Sequence, residues 1–490
     1  MLASSAFKRL RVSLPTQRWS STSTTKACTT YLSPTHLDDA PPPAVLARLS
    51  KYNAVTLSTY SRPPFILTRG HRCTVWDTQG RSYLDFSGGI AVNALGHSDE
   101  GVAAVIADQS TLLVHNSNLW HNEWAGELAL LLVDSTKNLG GMGFCGADVT
   151  KPCDEEGAPC PCNEGKAKEG GLKVFFSNSG TEANEGAIKF ARKWGKGTNM
   201  VDGKPNNEKV EIVSFTDGFH GRSMGALSAT WQTKYQAPFE PLVPAFVEAQ
   251  LNDIEGLQKK ITEKTCGVLI EPIQGEGGIL EAHEPFLRAL RKRCDEVGAL
   301  LIYDEIQCGL GRTGNLWAHG NYPIDCHPDI LTMAKPLANG VPIGAILMKD
   351  KVADIIKIGD HGTTFGGGPL QTRVAHHVLS RLTEPSFLPT VSSLSSALLT
   401  RLQSLPSTFP RLISGPPRGR GLILGLPFLR DEYAARIVKL ARERGVLLLS
   451  CGKATIRFVP SLVVTEAEVT KCVDVLESCL VVLNMEQEGL

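Results

Sequence analysis

An α/β fold is predicted for this chain: a large domain with a mostly parallel sheet flanked by helices, plus a smaller α+β domain built from both chain ends. Three observations predict it. Short, continuously apolar runs recur between residues 173 and 348, as buried parallel strands do. Amphipathic helical patterns fall between those runs. The length of 490 residues also exceeds one ordinary domain of roughly 100–200 residues.

The strand runs are 173–177, 210–215, 267–272, 299–304, 330–334 and 344–348. In 182–194 the apolar positions Ala183, Ala187, Ile188, Ala191 and Trp194 recur three or four apart, which predicts a helix. The pattern in 285–297 is similar, and Pro285 suits a first helical position, where a missing N–H costs nothing. This strand–helix rhythm implies an open sheet with helices on both faces. Helices at 432–444 and 466–483 flank a short β region, 446–464. That tail, with 65–93 and its Gly turns, reads as the smaller domain. The expected division is a transit peptide and disordered leader over 1–35, small-domain pieces over 36–105 and 376–490, and a large domain over 106–375. Residues 137–171 interrupt the large domain with Gly, Lys, Glu and Cys145, Cys153, Cys160 and Cys162. Their spacing matches no common zinc pattern and the stretch has no His, so it reads as a flexible surface insertion with no metal.

Composition narrows the function. The chain is 42% hydrophobic and 20% charged, and its formal net charge is zero. That excludes a surface built for nucleic acid or acidic membranes. No run of about 18 apolar residues exists to span a membrane. Thirteen cysteines are too dilute for a disulfide scaffold, and an odd count cannot pair fully within one chain. The charge is uneven. Residues 1–37 carry five bases, Lys8, Arg9, Arg11, Arg18 and Lys26, and no acid. With its many Ser and Thr, this stretch matches a mitochondrial transit peptide, with cleavage expected near 19–25 and free thiols in a reducing matrix. The remainder, 45 bases against 50 acids, is mildly acidic.

Four sequence features carry chemistry. Strand 173–177 runs through Asn178-Ser179-Gly180-Thr181-Glu182 into a helix. Read alone, that is either an ordinary cap or an anion site of free N–H groups. Gly218-Phe219-His220-Gly221-Arg222 follows strand 210–215, where ligands bind in open α/β sheets; Arg222 suits a carboxylate, or is a surface arginine. Asp304 ends an apolar strand, where burial is costly unless it meets a cation. Gly309-Leu310-Gly311-Arg312-Thr313-Gly314 formally matches a dinucleotide fingerprint, but no helix pattern follows, so that reading is rejected. Lys335 follows the strand 330–334, where desolvation can free its amine as a nucleophile. Any one of these is weak. In sequence they would hold a phosphate, stack a ring, protonate a ring nitrogen and condense with a carbonyl, the set of contacts pyridoxal phosphate needs.

At these residues the chain resembles the class III, fold-type I pyridoxal-phosphate aminotransferases. The likeness spans 45–480 apart from the insertion. It rests on Gly89–His97 (GIAVNALGH), Ser179–Glu185 (SGTEANE), Phe219–Arg222 (FHGR), Glu271–Glu276 (EPIQGE), Asp304–Gln307 (DEIQ), Lys335, His361–Gly367 (HGTTFGG) and Ile456–Phe458 (IRF). The resemblance implies that Lys335 bonds the cofactor and then moves the proton, and that Asp304 keeps the pyridine nitrogen protonated. Phe219 and Ile306 would cover the ring faces, Gln307 would lie near the ring hydroxyl, and Gly180 and Thr181 would bind the phosphate. Thr364 would reach that phosphate from a second subunit, implying a homodimer. Arg222, helped by Thr363, would bind a substrate carboxylate. Arg457 would take the carboxylate beside the reacting carbon, with Glu276 neutralising it while a donor is bound.

Ile90 stands where ornithine enzymes of the family tend to carry Tyr. An aliphatic side chain suits a neutral acetamide better than an unpaired ammonium. This favours N2-acetylornithine as donor and 2-oxoglutarate as acceptor in the mitochondrial matrix, over ornithine or another ω-amine. Gly368, where the family usually has Asn, and Ser461, often Pro, are departures. A non-catalytic homologue is the contrasting reading, and the presence of Lys335, Asp304 and Arg222 together argues against it.

Overall fold

The computed structural model describes residues 27–36, 41–146, 171–198, 200–201, 204–205 and 207–489. Residues 1–26 and 147–170, which contain the expected cleavage region and most of the Cys-bearing insertion, lie outside the described residues. The centre of the molecule is a seven-stranded sheet. In chain order its strands are β1 (Leu172–Ser177), β2 (Glu211–Phe215), β3 (Phe246–Ala249), β4 (Thr265–Ile270), β5 (Leu300–Asp304), β6 (Ile330–Met333) and β7 (Gly344–Lys349). In space they run β1-β7-β6-β5-β4-β2-β3. Every neighbouring pair is parallel except those of β7, which is antiparallel to both β6 and β1.

The chemistry of the strands explains their place. All residues of β4, β5 and β6 are buried, so a continuous apolar run is what the sheet centre requires. The edge strand β3 is only partly buried and carries Glu248, and no apolar run announced it. Helix α1 (Gly180–Thr198) follows β1 at once, and α2 (Glu284–Val297) precedes β5. Ala183, Ala187, Ile188 and Ala191 of α1 form one buried cluster with Ile302, Ile330 and Ile346 of the sheet. Because β7 runs antiparallel to β6 and β1, the carboxyl ends of β1, β2, β4, β5 and β6 all open onto one edge, where ligands bind in such sheets.

Both chain ends build the neighbouring layers. Strands Leu67–His71, Thr74–Asp77 and Ser82–Asp85 form an antiparallel set, and Val446–Leu447 joins it in parallel beside Ser82–Asp85. A second sheet contains Arg418–Arg420, Ile423–Pro427, Thr455–Phe458 and Leu449–Cys451. Helices Asp431–Arg442 and Glu466–Glu488 cover this region, the latter opened by a Thr465/Glu468 capping box. After Gly309–Gly314 the chain makes a short 3₁₀ turn, Ala318–Asn321, and no α-helix opens there.

One sequence expectation needs correction. The leader was expected to run disordered to residue 35, yet residues from Cys28 onward are docked. The Arg444 guanidinium donates to the carbonyls of Tyr31 and Leu32 at 2.6 Å each. Cys28 N–H donates to Glu477 at 2.8 Å, and Tyr31 N–H donates to Ser478. Their partners lie more than 400 residues away, so local patterning carried no sign of it. The thiols follow expectation at nine cysteines, which are free; Cys145 departs from it, being disulfide-bonded.

Asp329, just before β6, fastens the amino ends of the strands. It accepts from Arg291 of α2 at 2.7 Å and from Leu301 N–H at 3.0 Å, and pairs with Lys351 at 2.7 Å. Burial alone would raise its carboxyl, but Arg291, Lys349 and Lys351 hold it well below the usual range. Asp329→Ala is expected to cost about 1–3 kcal/mol in denaturant unfolding, because Leu301 N–H loses its buried acceptor and Arg291 keeps only Asp295. With the folded pKa lowered, the stabilisation is complete above pH ~4 and is lost as pH falls further. The variant should show a shallower acid dependence across that window.

Candidate active site

The site assembles at the carboxyl edge of the sheet. Asp304 closes β5 and is 3% exposed. One of its oxygens accepts from Asn184 Nδ2 at 2.7 Å and His220 Nδ1 at 2.8 Å. The other accepts Ile306 N–H at 3.0 Å. Asn184 is fully engaged: it also donates to the His220 carbonyl and accepts from Thr332 Oγ1 of β6. A carboxylate only accepts, so His220 carries its proton on Nδ1. Three donors thus orient the Asp304 carboxylate, and none of them is an arginine.

Lys335 stands three residues beyond Thr332, and Thr332 lies beside Asp304 in the β5–β6 register. Burial first and Arg457 second push its amine down to about 8, against the opposing pull of Glu271, Asp304 and Glu276. Glu271 is itself buried and pushed upward by that burial. It accepts Phe219 N–H at 2.8 Å and Gly275 N–H at 3.0 Å, pinning two loops of the site.

The expected phosphate loop lies at the head of the 19-residue α1. A side chain on Gly180 would meet Ile306 Cδ1 at 2.7 Å, so only glycine lets those two elements approach. Thr181 Oγ1 lies 2.6 Å from Ser223 Oγ and accepts Ser223 N–H at 3.2 Å. Gly221 has φ 140°, and a Cβ there would strike Thr181 Oγ1 at 2.3 Å. The Gly between His220 and Arg222 is therefore required twice, by conformation and by space.

Arg457 lies on Thr455–Phe458 and is 3% exposed. Its Nη1 donates to Gly275 O at 2.7 Å and to Gln307 Oε1 at 3.3 Å, and pairs with Glu276 Oε2 at 3.3 Å. Its Nε has no partner. Gln307 in turn donates to Glu271 at 3.5 Å. Arg222 is exposed, its guanidinium 3.9 Å from the Tyr235 ring centre and 5.7 Å from that of Phe219.

Not every expected residue meets the others. Thr363 lies with Asn178, which donates to its hydroxyl at 2.8 Å, and Asn118, which donates to its carbonyl at 2.8 Å. It makes no contact with Arg222 in the same chain among the described interactions. Thr364 is exposed. Ile90 is 41% exposed and sits at φ 64° between two other left-handed residues. Sequence reasoning quoted His220, Asn184 and Glu271 inside motifs but gave them no role. Their signal was position: polar groups at the buried ends of apolar strands and on the helix face turned to the sheet. Tyr235, in the short helix Thr233–Gln236, gave no signal.

The donor set suits a phosphorylated pyridine aldehyde. It offers a helix terminus narrowed by Gly180 for an anion, a buried acceptor in Asp304 for a ring N–H, and an amine in Lys335 with lowered basicity. Fold and site together define an enzyme that transfers amino groups. The chain belongs to the class III aminotransferases, whose sequence model matches residues 56–480. It is 49% identical over 421 residues to the mitochondrial acetylornithine aminotransferase of Neurospora crassa, covering 86% of this chain and 84% of that one. The N-acetylornithine aminotransferase structure from Stenotrophomonas maltophilia shares 32% identity and a TM-score of 0.69, covering 90% and 99%. An ornithine aminotransferase structure from Toxoplasma gondii, described with PLP at partial occupancy in its active site, shares 27% and 0.76, covering 90% and 95%.

In the cofactor-free protein the Lys335 amine is expected to titrate near pH 8, readable as the one ¹³C-methyl lysine resonance that disappears in Lys335→Ala. Arg457→Met removes a positive neighbour and should move that midpoint upward. Lys335→Ala should lower transamination by roughly 10²–10⁴-fold or more, the scale of a lost acid–base group.

Proposed function

We propose that this enzyme moves the δ-amino group of N2-acetyl-L-ornithine to 2-oxoglutarate, giving N-acetyl-L-glutamate 5-semialdehyde and L-glutamate. It uses pyridoxal phosphate and acts in the mitochondrial matrix as a homodimer. The observation that carries this reading is Arg457 held by Glu276 at 3.3 Å within the charge field of Lys335. Such a pair accommodates two substrates of different charge. The donor presents one carboxylate, far from its reacting amine, and Arg222 suffices for it. The acceptor brings a second carboxylate to the reacting carbon and displaces Glu276 to reach Arg457. The relatives' names, acetylornithine aminotransferase and mitochondrial, support that donor and a mitochondrial location.

The chemistry that pyridoxal phosphate supplies when bound is storage of the amino group and withdrawal of electrons from the donor carbon. The protein's own residues do the rest. Gly180, Thr181 and the head of α1 would hold its phosphate. Asp304 would hold a proton on the ring nitrogen, with His220 and Asn184 fixing its oxygens. Phe219 and Ile306 would close over the ring, and Gln307 would lie near its hydroxyl. Lys335 would carry the proton between substrate carbon and cofactor. The exposed Thr364, with Thr363, would serve the site of a second subunit. We assign the binding of cofactor to 106–375 and closure over substrate to 36–105 and 376–490.

Ornithine is the rival donor, favoured by the likeness to ornithine aminotransferase structures. The aliphatic Ile90 favours the acetylated one, since it offers a free ammonium no partner. With 2-oxoglutarate as acceptor, N-acetylornithine should outcompete ornithine in kcat/KM, and Ile90→Tyr should narrow the gap. A wild type that prefers free ornithine would overturn the donor assignment. Absence of a visible absorption band quenched by borohydride would overturn the cofactor. Co-expressed Lys335→Ala and Thr364→Ala chains should recover activity that neither has alone, because one of the two hybrid sites is intact.

A further inference from the structure

Tyr235 touches both anion-reading arms of the site. Its hydroxyl donates to Glu276 Oε1 at 3.1 Å, while Glu276 Oε2 faces Arg457 at 3.3 Å. Its ring lies under the Arg222 guanidinium at 3.9 Å and stands edge-on to Phe219 at 5.8 Å and 78°. The Lys234 ammonium lies 4.6 Å from the same ring centre. A carboxylate cannot donate, so the direction of the hydroxyl bond is settled. Burial and the Glu276 charge both push the hydroxyl upward, so it keeps its proton.

We propose that Tyr235 is a positioning residue that sets the enzyme's balance between amino donor and dicarboxylate acceptor, holding Glu276 on Arg457 with its hydroxyl and Arg222 in place with its ring. The proposal rests on the roles given above to Arg222, Glu276 and Arg457. Its physical basis is the geometry of a short, two-torsion side chain. Glu276 has two oxygens, and in this arrangement each has one partner. Releasing Arg457 to an incoming carboxylate means rotating Glu276, which also strains or breaks the tyrosine bond. That bond therefore favours the arrangement suited to the singly carboxylated donor. The ring acts on both half-reactions alike, because donor and acceptor each place a distal carboxylate on Arg222, and a cation over an aromatic face is held in orientation.

The two functions separate by substitution. Tyr235→Phe keeps the ring and removes the hydroxyl. The ratio of kcat/KM for 2-oxoglutarate to that for N-acetylornithine should rise by about tenfold, the scale of one charge-assisted hydrogen bond. Most of the change should appear in the two KM values, in opposite directions, with kcat little altered. Tyr235→Leu should lower kcat/KM for both substrates, since Arg222 loses its platform. In a Glu276→Gln background, Tyr235→Phe should add less than twofold to the ratio, because both changes act on one contact.

All variants are measured as the cofactor-loaded full chain, with thermal unfolding as the check on folding. An equal fall for both substrates in Tyr235→Phe, or a full effect in the Glu276→Gln background, overturns the proposal. So does an unchanged ratio in Tyr235→Phe when Glu276→Gln alone shifts it. The last result would leave the functional reading standing, whereas a wild type that transaminates neither substrate would remove both. Should Tyr235→Leu fail to fold, Tyr235→Phe and the double variant still decide.

Discussion

A carboxylate buried at the end of a central strand is the constraint on which the rest of the site depends. Asp304 is 3% exposed, and an isolated charge there would be too costly to keep. The protein satisfies it with three donors from three separate places: Asn184 on α1, His220 on the loop after β2, and Ile306 on its own exit. Two of these donors are fixed in turn, Asn184 by Thr332 of β6 and His220 by Thr230 at its N–H. Satisfying one charge therefore locks the mouths of three strands and the first turns of α1 into a single frame. On the function proposed above, the remaining lone pairs of the carboxylate would take a ring N–H.

The second charge balance sits across the cleft, on the strand from the smaller sheets. Arg457 lies close enough to lower the Lys335 amine, while Glu271, Glu276 and Asp304 raise it. Two cations thus share three acids in a buried space. Glu276 is the less enclosed member, its side chain 23% exposed against 3% for Arg457. Glu271 is the fixed one, since both its oxygens hold backbone N–H groups. The difference between a switch and a strut lies here in partner type. A carboxylate bonded to backbone cannot leave without unfolding a loop, whereas one facing an arginine and a hydroxyl can exchange both for a substrate.

The central sheet was legible because its burial is two-sided. Residues 299–304 and 330–334 read as unbroken apolar runs, and the structure places β5 and β6 there, fully buried. The acid and the lysine that follow stood out against that background. What escaped has a physical reason each time. β3 is a half-exposed edge, so its four residues carry no continuous apolar signal. Tyr235 sits in a single helical turn whose contacts lie outside it, with Glu276 on a later loop and Arg222 on an earlier one. The docking of Cys28–His36 depends on Arg444, Glu477 and Ser478, a pairing of chain ends that no local period encodes. In general, the groups fixed by burial could be read in the chain, and those fixed by long-range hydrogen bonds could not.

Ile90 joins these two kinds of information. Its residue type was a sequence argument about the donor, but its conformation is a fact of the fold. Gly89, Ile90 and Ala91 all have φ between 62° and 64°, a region where a β-branched residue pays roughly 1–3 kcal/mol. Strain of that size persists only where the surroundings over-determine the backbone. Asp85 supplies part of this, accepting Ser87 N–H at 2.8 Å and Gly88 N–H at 3.1 Å while its other oxygen holds His97. Gly88 supplies the rest: a Cβ there would strike Val459 O at 2.7 Å, and Val459 N–H donates to Phe86 O. Val459 is two residues from Arg457. The loop that presents Ile90 and the strand that presents Arg457 are therefore fastened to each other, so a closure that moves one carries the other. An exposed aliphatic group on strained backbone is thereby held at a fixed place relative to a buried guanidinium, so its position is set by the fold as firmly as its chemistry is set by the sequence.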